Sequence, residues 1–588
     1  MSKLQQATER RPLPTALGFA VKLVAFALLI LYTHYLSPAD FGVLVLLYVT
    51  MRILDTVVTQ GMTSAVLRAY DVDFKDAPRA RREAVSTALF YCVGSAALLF
   101  GVLALFARPL SALVTADEQW APLLRLMFLA GLLRAAQSVP RQLLQSDGRK
   151  RDVIRILEFA TAALLNVYFL VIEGMGLAGI VYSEVVREGL FLIVHAFTLR
   201  RTLRPTFSRS HLTQLLRHGL PRVPRGLPLT ILSVNDRYFL IHLVGATQLG
   251  LYAVAYRFAE IVEDGAVRPL LQRWPRTHAQ LIAEEKDGGQ RLLGRYATYL
   301  VAIAGLVALG VCVFAEPLLR LAAPAEYLEA ARFVPLLSLA LLLAGAHRLF
   351  LLGLRAVHRT GSLPRMLTAA ALFNLVCNAW LVPRHGALGA AAAAMLTSLF
   401  LAVVASRVDR RWFGTRVEWD RILRVVVALG LTFTVGRWVT PENLIGQIAS
   451  ACALILLYPA LLGVFGFYSL AELEMLRGLL NRRVVPRPAR SGQADRAAPE
   501  APQADESGER NERKVTTAPA ATDMHPSQGA PGWTAALAGP SDDASRDAAD
   551  EPEERQTLVE PTTGAQAMVG SSRPRAASAS RASRSKRK

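Results

Sequence analysis

Charged residues interrupt several long apolar stretches of this 588-residue chain. An ionisable group at the centre of a bilayer costs roughly 2.5–3.5 kcal/mol on insertion scales, so it normally faces a partner or a water-filled cavity. We therefore take these residues as candidates to line a polar cavity within a membrane. The cations are Lys22, Arg52, Arg134, Arg237, Arg257 and Arg348, and the acids are Asp55, Asp236, Glu260 and Glu263.

Spacing along a helix leaves a structural alternative open for several of these groups. Arg52 and Asp55 are three residues apart, as are Arg257 and Glu260, so each pair could form a salt bridge within its own helix. Lys22 could instead extend towards the cytoplasmic interface, where a long side chain keeps its charge in water. Glu263 could serve to close the cavity rather than to line it.

Arg134 and Arg348 differ because neither has an acid three or four positions away. Each must therefore find a partner on another helix or bind an anionic ligand, which makes them the stronger cavity candidates. A further group, Glu184, Arg187 and Glu188, has the spacing of one helix face, and this favours structural pairing.

The elements that must position these residues are membrane-spanning helices. Apolar residues make up 53% of the sequence although residues 481–588 are polar. A bilayer core requires about 20 apolar residues per helix. This length predicts an all-α polytopic membrane protein with about 14 spans, near residues 14–35, 41–66, 84–106, 121–141, 153–172, 176–198, 219–243, 248–267, 293–315, 331–354, 366–382, 387–406, 422–438 and 444–468.

Basic residues are concentrated in alternate loops, which predicts the orientation. The first 480 residues carry 49 Lys and Arg against 31 Asp and Glu. The loops at 36–40, 172–175 and 244–248 contain no Lys or Arg at all. Because basic loops remain in the cytoplasm, both termini are predicted to be cytoplasmic.

Related signals recur about 210 residues apart. Phe41-Gly42 corresponds to Leu249-Gly250, and Gly176-Leu-Ala-Gly179 corresponds to Gly386-Ala-Leu-Gly389. Six spans lie in each unit, so both units insert with the same orientation. This predicts two six-helix lobes related by a pseudo-two-fold axis along the membrane normal, with a site where they meet.

The predicted organisation follows from this repeat and from composition. The segment 481–588 is rich in Ala, Pro, Ser and charged residues and cannot bury enough apolar surface to order itself, so it is predicted to be a disordered cytoplasmic tail. The predicted segments are a cytoplasmic N-terminus at 1–13, an N-lobe at 14–199, an inter-lobe loop at 200–218, a C-lobe at 219–407, two additional helices at 420–470 and the tail.

Three motifs, taken in order, resemble the Wzx-type polysaccharide flippases. They are Leu36-Ser-Pro-Ala-Asp-Phe-Gly42, Asn235-Asp-Arg237 followed by Leu249-Gly-Leu-Tyr-Ala-Val-Ala-Tyr-Arg257, and Leu381-Val-Pro383 followed by Gly386-Ala-Leu-Gly-Ala390. The resemblance covers residues 12–470. It implies the multidrug/oligosaccharidyl-lipid/polysaccharide transporter superfamily, with a V-shaped pair of lobes that works by alternating access.

The resemblance also implies a cargo, an undecaprenyl-diphosphate-linked oligosaccharide moved outward across the bacterial inner membrane. Guanidinium groups bind phosphate oxygens through forked donors, which would explain the cavity arginines. Asp55, Glu260 and Glu263 could couple a proton or a sodium ion. The expected partners are the lipid-linked cargo, membrane lipids, a polysaccharide polymerase and a chain-length regulator, with no nucleic acid.

Composition and motifs argue against other classes. The four cysteines show no disulfide framework or metal-ligand spacing, and no cofactor or phosphate-binding loop is readable. A lipid II flippase and a drug or cation exporter remain alternatives within the same fold. A membrane glycosyltransferase or polymerase is disfavoured because the outer loops are short and carry no acid/base pair.

Overall fold

The computed structural model describes most of the hydrophobic part of the chain. No strand occurs among the described residues, and the all-α prediction is confirmed. The tail at 481–588 lies outside them, as does the side chain of Lys22. The described residues are 13–59, 61–74, 77–145, 148–199, 206–272, 286–357, 360–439, 441 and 443–469.

Six long helices make up the first half of the chain, which we call the N-lobe. Each coincides with a predicted span to within six residues at either end, apart from α2, which ends seven residues before the predicted end at 66. Gly61, in a left-handed conformation with φ 71°, separates α2 from the short helix Met62–Arg68. The long helices are α1 (Leu13–Tyr35), α2 (Pro38–Thr59), α3 (Pro78–Leu105), α4 (Ala121–Gln145), α5 (Gly148–Val167) and α6 (Gly176–Leu199).

The second half, which we call the C-lobe, repeats this order and is followed by two additional helices. The helices are α7 (Arg222–Leu243), α8 (Ala246–Val262), α9 (Lys286–Ala322), α10 (Val334–Ala356), α11 and α12 (both within Leu363–Trp412), α13 (Trp419–Trp438) and α14 (Leu444–Val464). Gly386, with φ 57° and ψ −134°, breaks the 50-residue segment and separates α11 from α12.

Eight of the described helices are long and apolar enough to cross a membrane. Leu363–Trp412 is one of these eight helices, although Gly386 divides it into α11 and α12. Arg222–Leu243 is not among the eight, and it carries Asp236 and Arg237 in its middle. The exact number of 14 spans therefore stays a prediction.

The turns that the repeat makes equivalent share two features. Gly176 and Gly386 both have a positive φ, 56° and 57°. A Cβ at Gly179 would lie 2.9 Å from the carbonyl carbon of Phe169, and one at Gly389 would lie 2.6 Å from that of Leu381. In both lobes, therefore, glycine allows the last helix to pack directly on the backbone of the helix before it.

The segment predicted to be an inter-lobe loop contains a helix, Arg209–Gly219. Ser208 begins it as an N-cap by accepting a hydrogen bond from the backbone N–H of His211. Leu212, Leu215 and Leu216 share one face, and this face packs on the N-lobe against Met62. The prediction missed this helix because it is too short to span a bilayer, and only such spans were sought.

Candidate functional site

The most extensive contact between the lobes joins α2 and α8. Residues 41–51 of α2 are all buried, as are residues 249–255 of α8. We call the end marked by residues 36–42 and 244–250 the closed end. The loop charges predict that this end faces the outside.

The two helices become exposed further along, at the opposite, open end. On α2, the continuous run of buried residues ends at Met51, and Val57 is 44% exposed. On α8, Arg257 and Glu260 are half-buried, and Ile261 is 39% exposed. We infer from this exposure that a cleft opens between the two helices at this end, and we call it the charged cleft after Arg52, Asp55, Arg257 and Glu260.

Two hydrogen bonds join α2 to α7 where the buried run of α2 ends. The hydroxyl groups of Thr50 and Tyr238 are 2.8 Å apart. Nη2 of Arg52 donates to Oγ of Ser233 over 3.2 Å. Sequence reasoning missed Thr50, Ser233 and Tyr238 because uncharged hydroxyl groups are common in membrane helices and carry no signal of their own.

Arg134 on α4 lies at the centre of an ion cluster within the N-lobe. Its guanidinium group donates to Asp55 on α2 over 3.0 Å, to Glu188 on α6 over 3.1 Å, and to Glu184. Arg187 donates to the same two glutamates over 2.6 and 2.8 Å, which is the structural pairing that their spacing favours. Of the two alternatives for Arg134, a partner on another helix is therefore the one observed.

Arg348 on α10 has an equivalent arrangement in the C-lobe. Nη1 of Arg348 donates to Glu263, in the turn directly after α8, over 2.7 Å, and Nε of Arg268 donates to the same carboxylate over 2.9 Å. Glu263 follows Asp55 at 208 residues, the offset that also relates Gly250 to Gly42. In each lobe, therefore, an arginine from the helix two further along the chain bonds to an equivalent acid. The sequence contained this signal, because the two arginines recur at nearly the same offset as the two acids.

The two charged residues in the middle of α7, Asp236 and Arg237, are also paired. Asp236 accepts hydrogen bonds from Arg237 over 2.8 Å and from the hydroxyl of Tyr252 over 2.5 Å. The guanidinium group of Arg237 lies 4.8 Å from the ring centre of Tyr256, within the range of a cation–π contact. Both Asp236 and Arg237 are buried, so they stabilise the packing of α7 on α8.

Arg257 and Glu260 form the intrahelical pair that their spacing allows, at 2.7 Å. Arg52, Asp55, Arg257 and Glu260 therefore all lie at the open end of α2 and α8, and Glu263 directly follows α8. In the part of the chain that the structure describes, no group of three or more His, Cys, Asp or Glu side chains could hold a metal ion.

Comparison with known proteins agrees with this architecture. Residues 33–332, just over half of the chain, match the family model described as polysaccharide biosynthesis protein. The fold is similar to that of the lipid II flippase MurJ in an inward closed conformation, with a TM-score of 0.61 and 12% identity over 77% of this chain and 98% of that chain.

It is also similar to an inward-facing multidrug resistance MATE family transporter of the MOP superfamily, with a TM-score of 0.50 and 14% identity over 66% of this chain and 93% of that chain. At these identities the likeness to solved structures concerns the fold alone. No curated protein matches the sequence. With the family match, these findings place the chain in the polysaccharide biosynthesis protein family, as a multi-pass membrane protein whose fold is similar to those of MurJ and of the MATE transporter.

Proposed function

We propose that the protein moves an undecaprenyl-diphosphate-linked oligosaccharide from the cytoplasmic to the periplasmic leaflet of the bacterial inner membrane. The product would supply surface polysaccharide assembly, as O-antigen, capsule or exopolysaccharide. A polysaccharide polymerase and a chain-length regulator would then act on it from the outer side.

The observation that carries this proposal is the position of Arg52 and Arg257. Both residues are partly buried, the Arg257 side chain being only 10% exposed, and both lie where α2 and α8 begin to separate. Arg52 lies about 15 Å from Gly42 at the closed end, counted as ten residues of helix. A guanidinium group at that depth offers forked donors to phosphate oxygens, in surroundings where charge–charge attraction is stronger than in water.

Arg134 and Arg348 take a different part in this proposal. Arg134 forms a salt bridge with Asp55 on α2, and Arg348 forms one with Glu263, directly after α8. They would shape the cleft without binding the diphosphate themselves. Coupling of a proton or a sodium ion through Asp55, Glu260 or Glu263 stays a hypothesis.

The direction of transport follows from charge. A diphosphate diester carries about two negative charges, and moving one charge through 100 mV corresponds to about 2.3 kcal/mol. Export from an inside-negative cell would therefore be favoured by about 4.6 kcal/mol at that potential.

The test uses purified protein in liposomes that contain a fluorescent polyprenyl-diphosphate-linked oligosaccharide. Arg52→Ala and Arg257→Ala should each reduce its translocation at least tenfold, whereas lysine at either position should retain part of the activity because only the fork geometry is lost. Arg79→Ala is the matched control, since that side chain is 95% exposed and lies outside the cleft.

Two results would contradict the proposal. Unchanged translocation in both folded alanine variants would remove these arginines from the cargo site. Equal translocation of a polyprenyl monophosphate or an uncharged glycolipid would show that the diphosphate is not recognised. Transport of a cationic drug in place of the glycolipid would favour the exporter alternative.

A further inference from the structure

The closed end is a contact between two helix backbones. A Cβ atom at Gly42 of α2 would lie 2.9 Å from the backbone nitrogen of Gly250 and 3.1 Å from the carbonyl carbon of Ala246. A Cβ atom at Gly250 would lie 2.7 Å from the carbonyl carbon of Pro38. Because the opposing atoms are backbone, they cannot rotate aside as a flexible side chain would. Only glycine at both positions permits this approach.

The two glycines are equivalent in the internal repeat, 208 residues apart. Each sits in the first two turns of its helix, since α2 begins at Pro38 and α8 at Ala246. The pseudo-two-fold axis therefore passes close to this contact. Small residues at a crossing allow helices to approach closely inside a membrane, where packing rather than water drives association.

A second contact between the lobes lies at the same end. Tyr327 belongs to the short 3₁₀-helix Ala325–Arg332, which connects α9 to α10 in the C-lobe. Its hydroxyl donates to the backbone carbonyl of Leu36, between α1 and α2 of the N-lobe, over 3.0 Å. The ring is fully buried, so this hydrogen bond is shielded from water.

We propose that the Gly42–Gly250 contact is the latch that holds this end closed, with Tyr327 as its polar reinforcement. A methyl group at either glycine would raise the free energy of the closed arrangement and would leave a state with separated lobes unaffected. A change that acts on one of two states shifts the population towards the other. Alanine at either position should therefore open the closed end more often, whatever cargo the protein carries.

The test measures access to a buried reporter cysteine at Leu46. This residue is fully buried and lies one turn from Gly42 on the same helix face. The four native cysteines are replaced by alanine. A membrane-impermeant maleimide is added from each side of the membrane in turn, so the predicted orientation is not assumed.

We expect Gly42→Ala and Gly250→Ala each to speed labelling of the reporter about tenfold from the side of the closed end, which corresponds to a tenfold population shift. Gly94→Ala on α3 is the matched control, because no atom lies within 4 Å of the Cβ added there. It adds the same methyl group to a membrane helix and should leave the labelling rate unchanged.

The proposal is overturned if both folded glycine variants label as slowly as the Gly94→Ala control, or if that control accelerates equally. Tyr327→Phe provides a test that adds no bulk, should the alanine variants be absent from the membrane. It removes only the hydrogen bond to Leu36 and should speed labelling by a smaller factor. Labelling at the parent rate in Tyr327→Phe would then count against the latch.

This readout requires no cargo. A negative result in the liposome assay would therefore not contradict the latch. A negative result in the labelling assay would likewise not contradict recognition of the diphosphate.

Discussion

Replacing Arg134 by alanine would remove the centre of the N-lobe ion cluster. The side chain is 17% exposed and connects α4 to α2 through Asp55 and to α6 through Glu184 and Glu188. Truncation leaves three carboxylates in a partly buried site with one fewer cation. We expect the variant to be destabilised, rather than impaired only in cargo binding.

The structure sets the size of this effect. Breaking a buried ion pair by removing one partner costs about 3–5 kcal/mol. Glu184 and Glu188 would keep Arg187, at 2.6 and 2.8 Å. Asp55 would lose its contact with Arg134, but its side chain is 24% exposed and can be partly hydrated. We therefore expect a loss near the lower end of the range, about 3 kcal/mol.

Alanine variants of two other arginines provide reference values for this loss of stability. After Arg348→Ala, Glu263 would keep Arg268, whose side chain is 43% exposed, so we expect a smaller loss of about 1–2 kcal/mol. Arg320 pairs with Glu316 at the surface, with side chains 42% and 45% exposed. An exposed pair of this kind contributes about 0–1 kcal/mol, so Arg320→Ala serves as the control.

The assay is the temperature at which detergent-solubilised protein loses monodispersity. The expected order of the decrease is Arg134→Ala, then Arg348→Ala, then Arg320→Ala, with the first lower than the parent by several degrees. Asp55→Asn in the Arg134→Ala background should restore part of the loss, because it removes an uncompensated carboxylate. The reasoning is refuted if Arg134→Ala has the same melting temperature as Arg320→Ala, or if adding Asp55→Asn does not raise the melting temperature of Arg134→Ala.

Three further predictions follow from the topology, the tail and the turns. Cysteines at Ser37, Glu173 and Thr247, in the predicted loops without basic residues, should be labelled from outside by an impermeant reagent. Cysteines at Asp76, Asp147 and Ser208, in the basic loops, should not be labelled, and the inverse result would refute the orientation. A chain truncated after residue 485 should still complement a strain that lacks the transporter, and lost activity at normal membrane abundance would assign the tail a role. Gly176→Ala and Gly386→Ala should each lower the melting temperature by the equivalent of about 1–3 kcal/mol, since both glycines have a positive φ and a sparsely populated backbone region costs a non-glycine residue about that amount. An equal decrease for Gly101→Ala, which has open space around it, would contradict this reason.

Local patterns were sufficient to predict the helices and their repeat. A span is recognised by the length of its apolar run, and the turn glycines by their position at its ends. Gly176 and Gly386 could be paired from the sequence because a positive φ is a local requirement of the backbone. Hydropathy alone does not establish the count of 14 spans, since charges inside a helix lower its hydropathy without preventing it from lying in a protein interior.

The partners of the membrane charges were decided by the tertiary structure. Arg134 bonds to acids 79, 50 and 54 residues away, and Arg348 to one 85 residues away. Helical periodicity predicts which face of a helix carries a charge, but not which other helix meets that face. The rule that a buried charge needs a partner is satisfied equally by a distant carboxylate and by a bound phosphate, so the sequence left both open. The contact of Gly42 with Gly250 depends in the same way on how the two lobes dock, and a sequence repeat does not by itself contain that relation.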